Sequence, residues 1–352
     1  MRNLRLLFLG VGFVASFGVM GQTANITTYG LEAGTSTVLS GNSYFGYQAG
    51  KVASTTTASM YNTFVGSQAG KNISSGGYNT LIGYGAGLYA TTGNTNTFIG
   101  LYSGSNNNGN SNAGVGHNAL STPSTSSSFS AALGVGAGQG IQGNNNTLLG
   151  YNAGIFANGS DNVIIGYQAG YSNYGSGPFT GSGNILIGNS AGYRMGLSNK
   201  LFIDNSSTTT PLIWGDFAAD QVKLNGKTGI GMGTTAFPTT AGGVDVSAYN
   251  LFVKGGILAE EVRVSLNSTW ADYVFAKEYQ LKPLAEVEKF ISDNGHLPNV
   301  PSAKQVKNDG IELGEMAKIQ QEKIEELTLY LIQQNKEIEA MKAQIKALTD
   351  KK

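Results

Sequence analysis

Two apolar positions recur immediately before a glycine along residues 42–192, as in NTFVGSQAGK (62–71), NTLIGYGAGL (79–88) and NVIIGYQAGY (162–171). Further copies are NSYFGYQAGK (42–51), NTFIGLYSGS (96–105), NAGVGHNALS (112–121), SAALGVGAGQ (130–139), NTLLGYNAGI (146–155) and NILIGNSAGY (184–193). Their first glycines fall at 46, 66, 83, 100, 116, 134, 150, 166 and 188, a period of 16 to 22 residues. A short fixed period of this kind predicts a solenoid, in which one copy is one coil and buries nothing until its neighbours stack on it. Gly, Asn, Thr and β-branched residues dominate the copies, so the coils are expected to be short strands with glycine corners rather than helices. The longer intervals put their extra residues in turn-forming loops at 52–61 and 172–183.

Successive strand residues face opposite ways, so the doubled apolar pair covers both faces of each strand. The pairs include Phe64–Val65, Leu81–Ile82, Phe98–Ile99, Leu148–Leu149, Ile164–Ile165 and Leu186–Ile187. One row can fill the interior of the coil. The other forms an apolar stripe, to be covered by identical chains or by other segments of the same chain. The row adjoining the glycine is read as inward, which also predicts burial of Thr63, Thr80, Thr97 and Thr147. Phe64, Phe98 and Ile164 are then the positions at which an added charge should break association. Asn at the head of eight copies suits a hydrogen-bonded ladder along the stack, and the Ala or Ser before the second glycine suits a narrow corner. Just after the first glycine, Tyr47, Tyr84, Tyr151 and Tyr167 share one register position, with Gln48, Gln68 and Gln168 following in three copies. That row is a candidate binding ladder for a glycan or another surface receptor, or simply a stacked corner.

Beyond Asn199 the period fails, and KLFIDN, PLIWGDF, QVKLNGKTGIGMG and LFVKGGILAEEVRVSL read as short strands of a β-rich connector (199–266). KTGIGMGTT lacks the ending and context of a phosphate-binding loop, so no nucleotide is expected. A small helical or α/β module (267–312) follows. Pro283 opens a helix whose Leu284, Val287, Phe290 and Ile291 share a face, Gly295 closes it, and Ser302 caps the next one. His296 is read as packing a turn. In the last segment (313–352) Ile324, Leu327, Leu331, Gln334, Ile338, Met341, Ile345 and Leu348 alternate at three and four residues, which predicts a coiled coil or an amphipathic helix packed on its own domain. Ile at a with Leu or Met at d leans toward two strands, and Gln334 blunts that preference.

Composition sharpens this picture. The 352 residues include 51 glycines, no cysteine and only 12% charged residues, with zero formal net charge. Neither nucleic acid nor an anionic membrane surface is favoured as a partner. Disulfides, thiolate metal sites and a cysteine nucleophile are excluded. Between Gln22 and Gly196 the charged residues are Glu32, Lys51, Lys71, Asp161 and Arg194. Two acids in that span give a β-helix lyase or hydrolase no agents, and calcium-binding repeats no ligands. No cofactor, metal or catalysis is therefore expected. Arg2 and Arg5 precede an apolar run that ends in Val19 and Gly21, which reads as a cleaved export signal (1–21) or an uncleaved anchor, followed by a lead-in (22–41).

The Asn-Thr-x-apolar-Gly-x-x-Ala-Gly pattern resembles the head repeats of trimeric autotransporter adhesins, and also repeats of secreted bacterial tail-fibre-like proteins. The resemblance implies a left-handed, β-roll-like parallel β-solenoid head at 42–198, an exported homotrimer with three strands in its coiled coil, and a structural or adhesive role at the cell surface. The chain departs from the adhesins in having no amphipathic strands after the stalk for a membrane barrel. Its last hundred residues, with GHLPNVPSAKQVKNDGIELGEM, resemble the C-terminal region of the tail-fibre-like proteins. Their layout is similar to that of self-cleaving fibre chaperones. Ser265, Ser268 and Lys277 do not match the spacing of the Ser–Lys pair in that family.

Overall fold

A computed structural model of the chain describes residues 27–35, 41–52, 59–122, 126–172, 181–265 and 270–350. The expected export signal and the cores of both inserted loops lie outside the described residues. The chain forms two compact units, 1–226 and 227–352.

The first unit is a mainly β parallel solenoid. Its strands are β1 (Thr27–Tyr29), β2 (Ser43–Phe45), β3 (Thr63–Val65), β4 (Thr80–Ile82), β5 (Thr97–Ile99) and β6 (Ala113–Val115). They continue as β7 (Ala131–Leu133), β8 (Thr147–Leu149), β9 (Val163–Ile165), β10 (Ile185–Ile187) and β11 (Lys200–Ile203). Each pairs in parallel with the next, in chain order and in register, so Phe64 sits beside Leu81 and Leu81 beside Phe98. The stack therefore starts inside the expected lead-in and runs on into the expected connector. TTYGLEAG already carries the repeat, and β11 continues the ladder without a glycine. Two antiparallel strands then close the same sheet, β12 (Ile213–Asp216) and β13 (Gln221–Leu224). Lys200 pairs with Asp216 at 2.9 Å, and Lys223 lies over the Trp214 ring.

Burial corrects the expected facing of the strands. The middle residue of each strand points inward, with Tyr44, Phe64, Leu81, Phe98, Leu148, Ile164 and Leu186 all at 2% exposure or less. The row adjoining the glycine is the outward one, and the threonines lie on that same outer face. Phe64, Phe98 and Ile164 are therefore core residues. The reason is space: the second glycine of each copy faces the inward side chain, and a Cβ on Gly104 would lie 2.1 Å from the Phe98 ring. Where the inward residue shrinks to Gly114, the second glycine is replaced by Leu120, which is fully buried and refills the coil.

Backbone amides of the strands are satisfied by neighbouring coils. The Asn ladder supplies a second system inside: Asn79 N–H donates to Asn62 Oδ1 at 2.9 Å, Asn96 N–H to Asn79 and Asn112 N–H to Asn96. The chain of bonds runs from Asn42 to the amide of Lys200. Ser130, the exception, keeps the same role, its Oγ accepting from Asn146 N–H at 3.2 Å.

The second unit holds two small strand pairs, β14 (Thr228–Ile230) with β17 (Leu251–Val253) and β15 (Thr240–Ala241) with β16 (Val244–Asp245). A 3-10 turn follows at Ala271–Phe275, then α1 (Leu284–Asn294), α2 (Ala303–Asp309) and α3 (Leu313–Thr349). Gly295, at φ 74°, ends α1, and Ser302 with Gln305 forms a reciprocal capping box on α2. His296 accepts its expected place in a turn, edge-on to Phe290 with Nδ1 3.0 Å from the Leu297 carbonyl.

Candidate functional site

Among the described residues, three surfaces stand out. The first is the outer strand face. Its row Phe45, Val65, Ile82, Ile99, Val115, Leu133 and Leu149 is 36–53% exposed, and Ile165 and Ile187 complete it half-buried. Beside it run Thr63, Thr80 and Thr97, then Ala113 and Ala131, then Thr147, Val163 and Ile185. The register makes both rows straight. Strands about 4.8 Å apart give nine coils a stripe on the order of 40 Å long.

The second is the corner after the first glycine. Tyr47, Tyr84, Tyr151 and Tyr167 are all about half exposed, but they do not form a continuous ladder. Tyr151 and Tyr167 stack at 5.3 Å, whereas Ser67 separates Tyr47 from Tyr84 and three coils separate Tyr84 from Tyr151. Tyr84 instead meets Tyr102 edge-on at 5.4 Å. The following position has a left-handed backbone in every copy, which explains Gln48, Gln68 and Gln168 as turn residues. Gln48 is buried and donates to Glu32, so it is not available to a ligand. Lys51 and Gln48 together hold the Glu32 carboxyl below the usual carboxylate range.

The third lies in the second unit. Tyr273 and Tyr279 donate to Glu322 and Glu326, and Lys323 bridges both carboxylates at 2.8 Å. Burial works against the charge on Glu322, yet hydrogen bonds from Lys323, Tyr273 and Asn299 together outweigh it and lower its pKa. The hydrogen bond to Glu322 pushes the Tyr273 phenol up to about 12. This cluster ties α3 to the 3-10 turn. Beside it Leu284, Val287, Leu297, Ile324, Leu327 and Tyr330, with Tyr279, Lys323 and Glu326 of the same cluster, line a cleft of about 380 Å³. The heptad residues Ile324, Leu327, Leu331, Ile338, Met341, Ile345 and Leu348 are 45–70% exposed in the single chain, and Gln334 is exposed with them.

No group of three or more His, Asp or Glu side chains among the described residues could hold a metal. Of the serines and lysine considered for self-processing, Ser268 lies outside the described residues and Lys277 is exposed. No helix among the described residues is long and apolar enough to cross a membrane. Compared with protein families, curated proteins and solved structures, the chain matches none.

Proposed function

We propose that this chain is an exported, non-catalytic fibre protein that assembles as a homotrimer and serves a structural or adhesive role at a cell surface. The observation that carries the reading is the outer strand stripe, apolar at all nine positions before the glycine and free of charge. Covering the half-exposed side chains is worth about 1 kcal/mol per position. Nine positions then give on the order of 9 kcal/mol, within the roughly 4–15 kcal/mol that association costs in lost freedom. The stripe alone is marginal. The heptad stripe of α3 supplies the remainder, and a parallel coiled coil of identical chains brings equal segments of the head together. The resemblance of the repeat to trimeric adhesin heads favours three chains over two.

Light scattering on the full chain tests the proposal. Three times the chain mass is expected, and a combined Ile82→Asp, Ile99→Asp, Leu149→Asp variant should dissociate or aggregate. A monodisperse wild-type monomer refutes the reading.

A further inference from the structure

The short strand pairs of the second unit lack what such pairs need. From residue 227 to 265 no side chain is buried, whereas each of the nine repeat copies buries at least one. β14 and β17 are parallel, with Thr228 opposite Leu251, Gly229 opposite Phe252 and Ile230 opposite Val253, and no third strand joins them. Parallel sheets occur almost only with both faces covered, and a lone pair of strands is marginal in water. One face is partly closed by Phe237, whose ring lies 5.1 Å from that of Phe252. The other carries Ile230 and Leu251, 54% and 56% exposed, beside half-buried Val253. Ordering this stretch costs conformational entropy that no burial within it offsets.

The segment that follows has the converse defect, the chemistry of a strand without a strand to pair with. ILAEEVRVS (257–265) belongs to a run whose composition predicts a strand, yet the strand ends at Val253. Between Gly255 and Ser265 no backbone–backbone hydrogen bond forms among the described residues, and a Cβ on Gly255 or Gly256 would meet nothing within 4 Å. Ile257, Leu258, Val262 and Val264 are 47–103% exposed. Glu261, Val262, Arg263 and Val264 alternate polar and apolar, the pattern of a half-buried strand.

Two unfinished elements of one chain complete each other when the chain is repeated. The outer edges of the β14–β17 pair offer backbone donors and acceptors to a third strand, and Val262 and Val264 would widen the apolar face begun by Ile230 and Leu251. Charge agrees with this pairing: Glu260 and Glu261 are exposed and make no ion pair among the described residues, and the same holds for Lys254 at the end of β17. Because strand, edge and both charges lie on one element, a second copy supplies all of them at once, and parallel α3 helices would set equal segments level.

We propose that residues 257–265 form a β-strand on the β14–β17 sheet of a neighbouring copy of this chain, with Glu260 and Glu261 meeting the partner's Lys254, so that this region gains its core only in the assembly. The proposal rests on the homo-oligomer reading and adds that the chains are interlocked there rather than merely abutting.

Hydrogen exchange of the full-length assembly, followed by mass spectrometry, tests it. Amides of 257–265 should exchange at least about a hundredfold slower than in a free peptide of that sequence. A zero-length carbodiimide, which joins an amine to a carboxylate in contact, should link Lys254 to Glu260 or Glu261 between chains, read as a mixed-isotope peptide after labelled and unlabelled chains are refolded together. Val262→Pro with Val264→Pro removes two backbone donors and should abolish both signals, while Val262→Ile with Val264→Ile should retain them; circular dichroism checks that the coils of each variant remain stacked. Light scattering on the same samples separates the two ideas. An oligomer whose 257–265 amides exchange at the free-peptide rate overturns the interlock and leaves the fibre reading standing, and a monodisperse monomer overturns both.

Discussion

Replacing Gly100 by alanine places a Cβ 2.5 Å from the carbonyl oxygen of Gly116 in the next coil, at a φ of +133°. Ordinary C···O contacts are about 3.3–3.6 Å, so the coils must part by nearly an ångström or the corner must change its dihedral angles. Neither is free. The obstructing atom is backbone, and the two glycine amides are fixed by bonds of 2.7 and 2.8 Å to Ile82 and Ile99. A left-handed conformation costs an L-residue about 1–2 kcal/mol, and two loosened hydrogen bonds add about 0.5–1.5 kcal/mol each. The expected loss is about 2–5 kcal/mol. Gly196→Ala is the matched control, because nothing lies within 4 Å of its added Cβ and its φ is not positive. There alanine should stabilise by about 0.4–1 kcal/mol, by restricting the unfolded chain. Urea unfolding of the full chain, followed by far-ultraviolet circular dichroism, reads the difference. Because coils contact mainly their neighbours, a break in the middle should also split one transition into two. Equal unfolding midpoints for the two variants would refute the close-contact argument.

Asn79→Ala leaves the Asn96 amide and the Gly93 carbonyl without partners in the interior, a loss of about 1–3 kcal/mol for each group; Asn79→Ser should lose less, since Ser130 already fills that role, and urea midpoints decide between them. Tyr44 is buried and its hydroxyl makes no hydrogen bond of good geometry, so Tyr44→Phe should be neutral or stabilising by thermal melt. Burial raises the Tyr44 pKa to about 12, so its contribution is complete below pH 10 and is lost as pH rises from 10 to 12. That fall, on the order of 2–3 kcal/mol, should be absent from the Tyr44→Phe protein; identical alkaline unfolding curves would show that the phenol titrates normally.

The solenoid was legible because backbone geometry dictates its markers. Nine glycines at a regular period, each preceded by an apolar pair, leave few alternatives to short parallel strands. The choice between the two rows was not legible from apolarity, since Phe64 and Val65 are both hydrophobic. Volume compensation would have settled it. The row that varies in step with the second glycine, Gly114 with Leu120, is the one that fills a closed space. The outward row has no such partner and keeps its apolarity regardless. TTYGLEAG was also readable as a further coil, whereas β11 was not, because Asp204 stands where the glycine would be. The Tyr row was visible at the right spacing, but register alone could not reveal that the rings pair locally.

A stack of identical coils has no inherent length: the last one presents the same unsatisfied edge as the first, ready to template another from any chain nearby. Reversing direction at β12 and β13 stops this growth. The antiparallel pair breaks the shared register, and its outer strand carries Lys223 folded over Trp214. Head length is thereby set by counting in the gene rather than by concentration. Duplication or deletion of one coil changes it by about 4.8 Å and leaves the terminator untouched. Natural variants of this chain are expected to differ by whole coils, making reach the trait that evolves most easily.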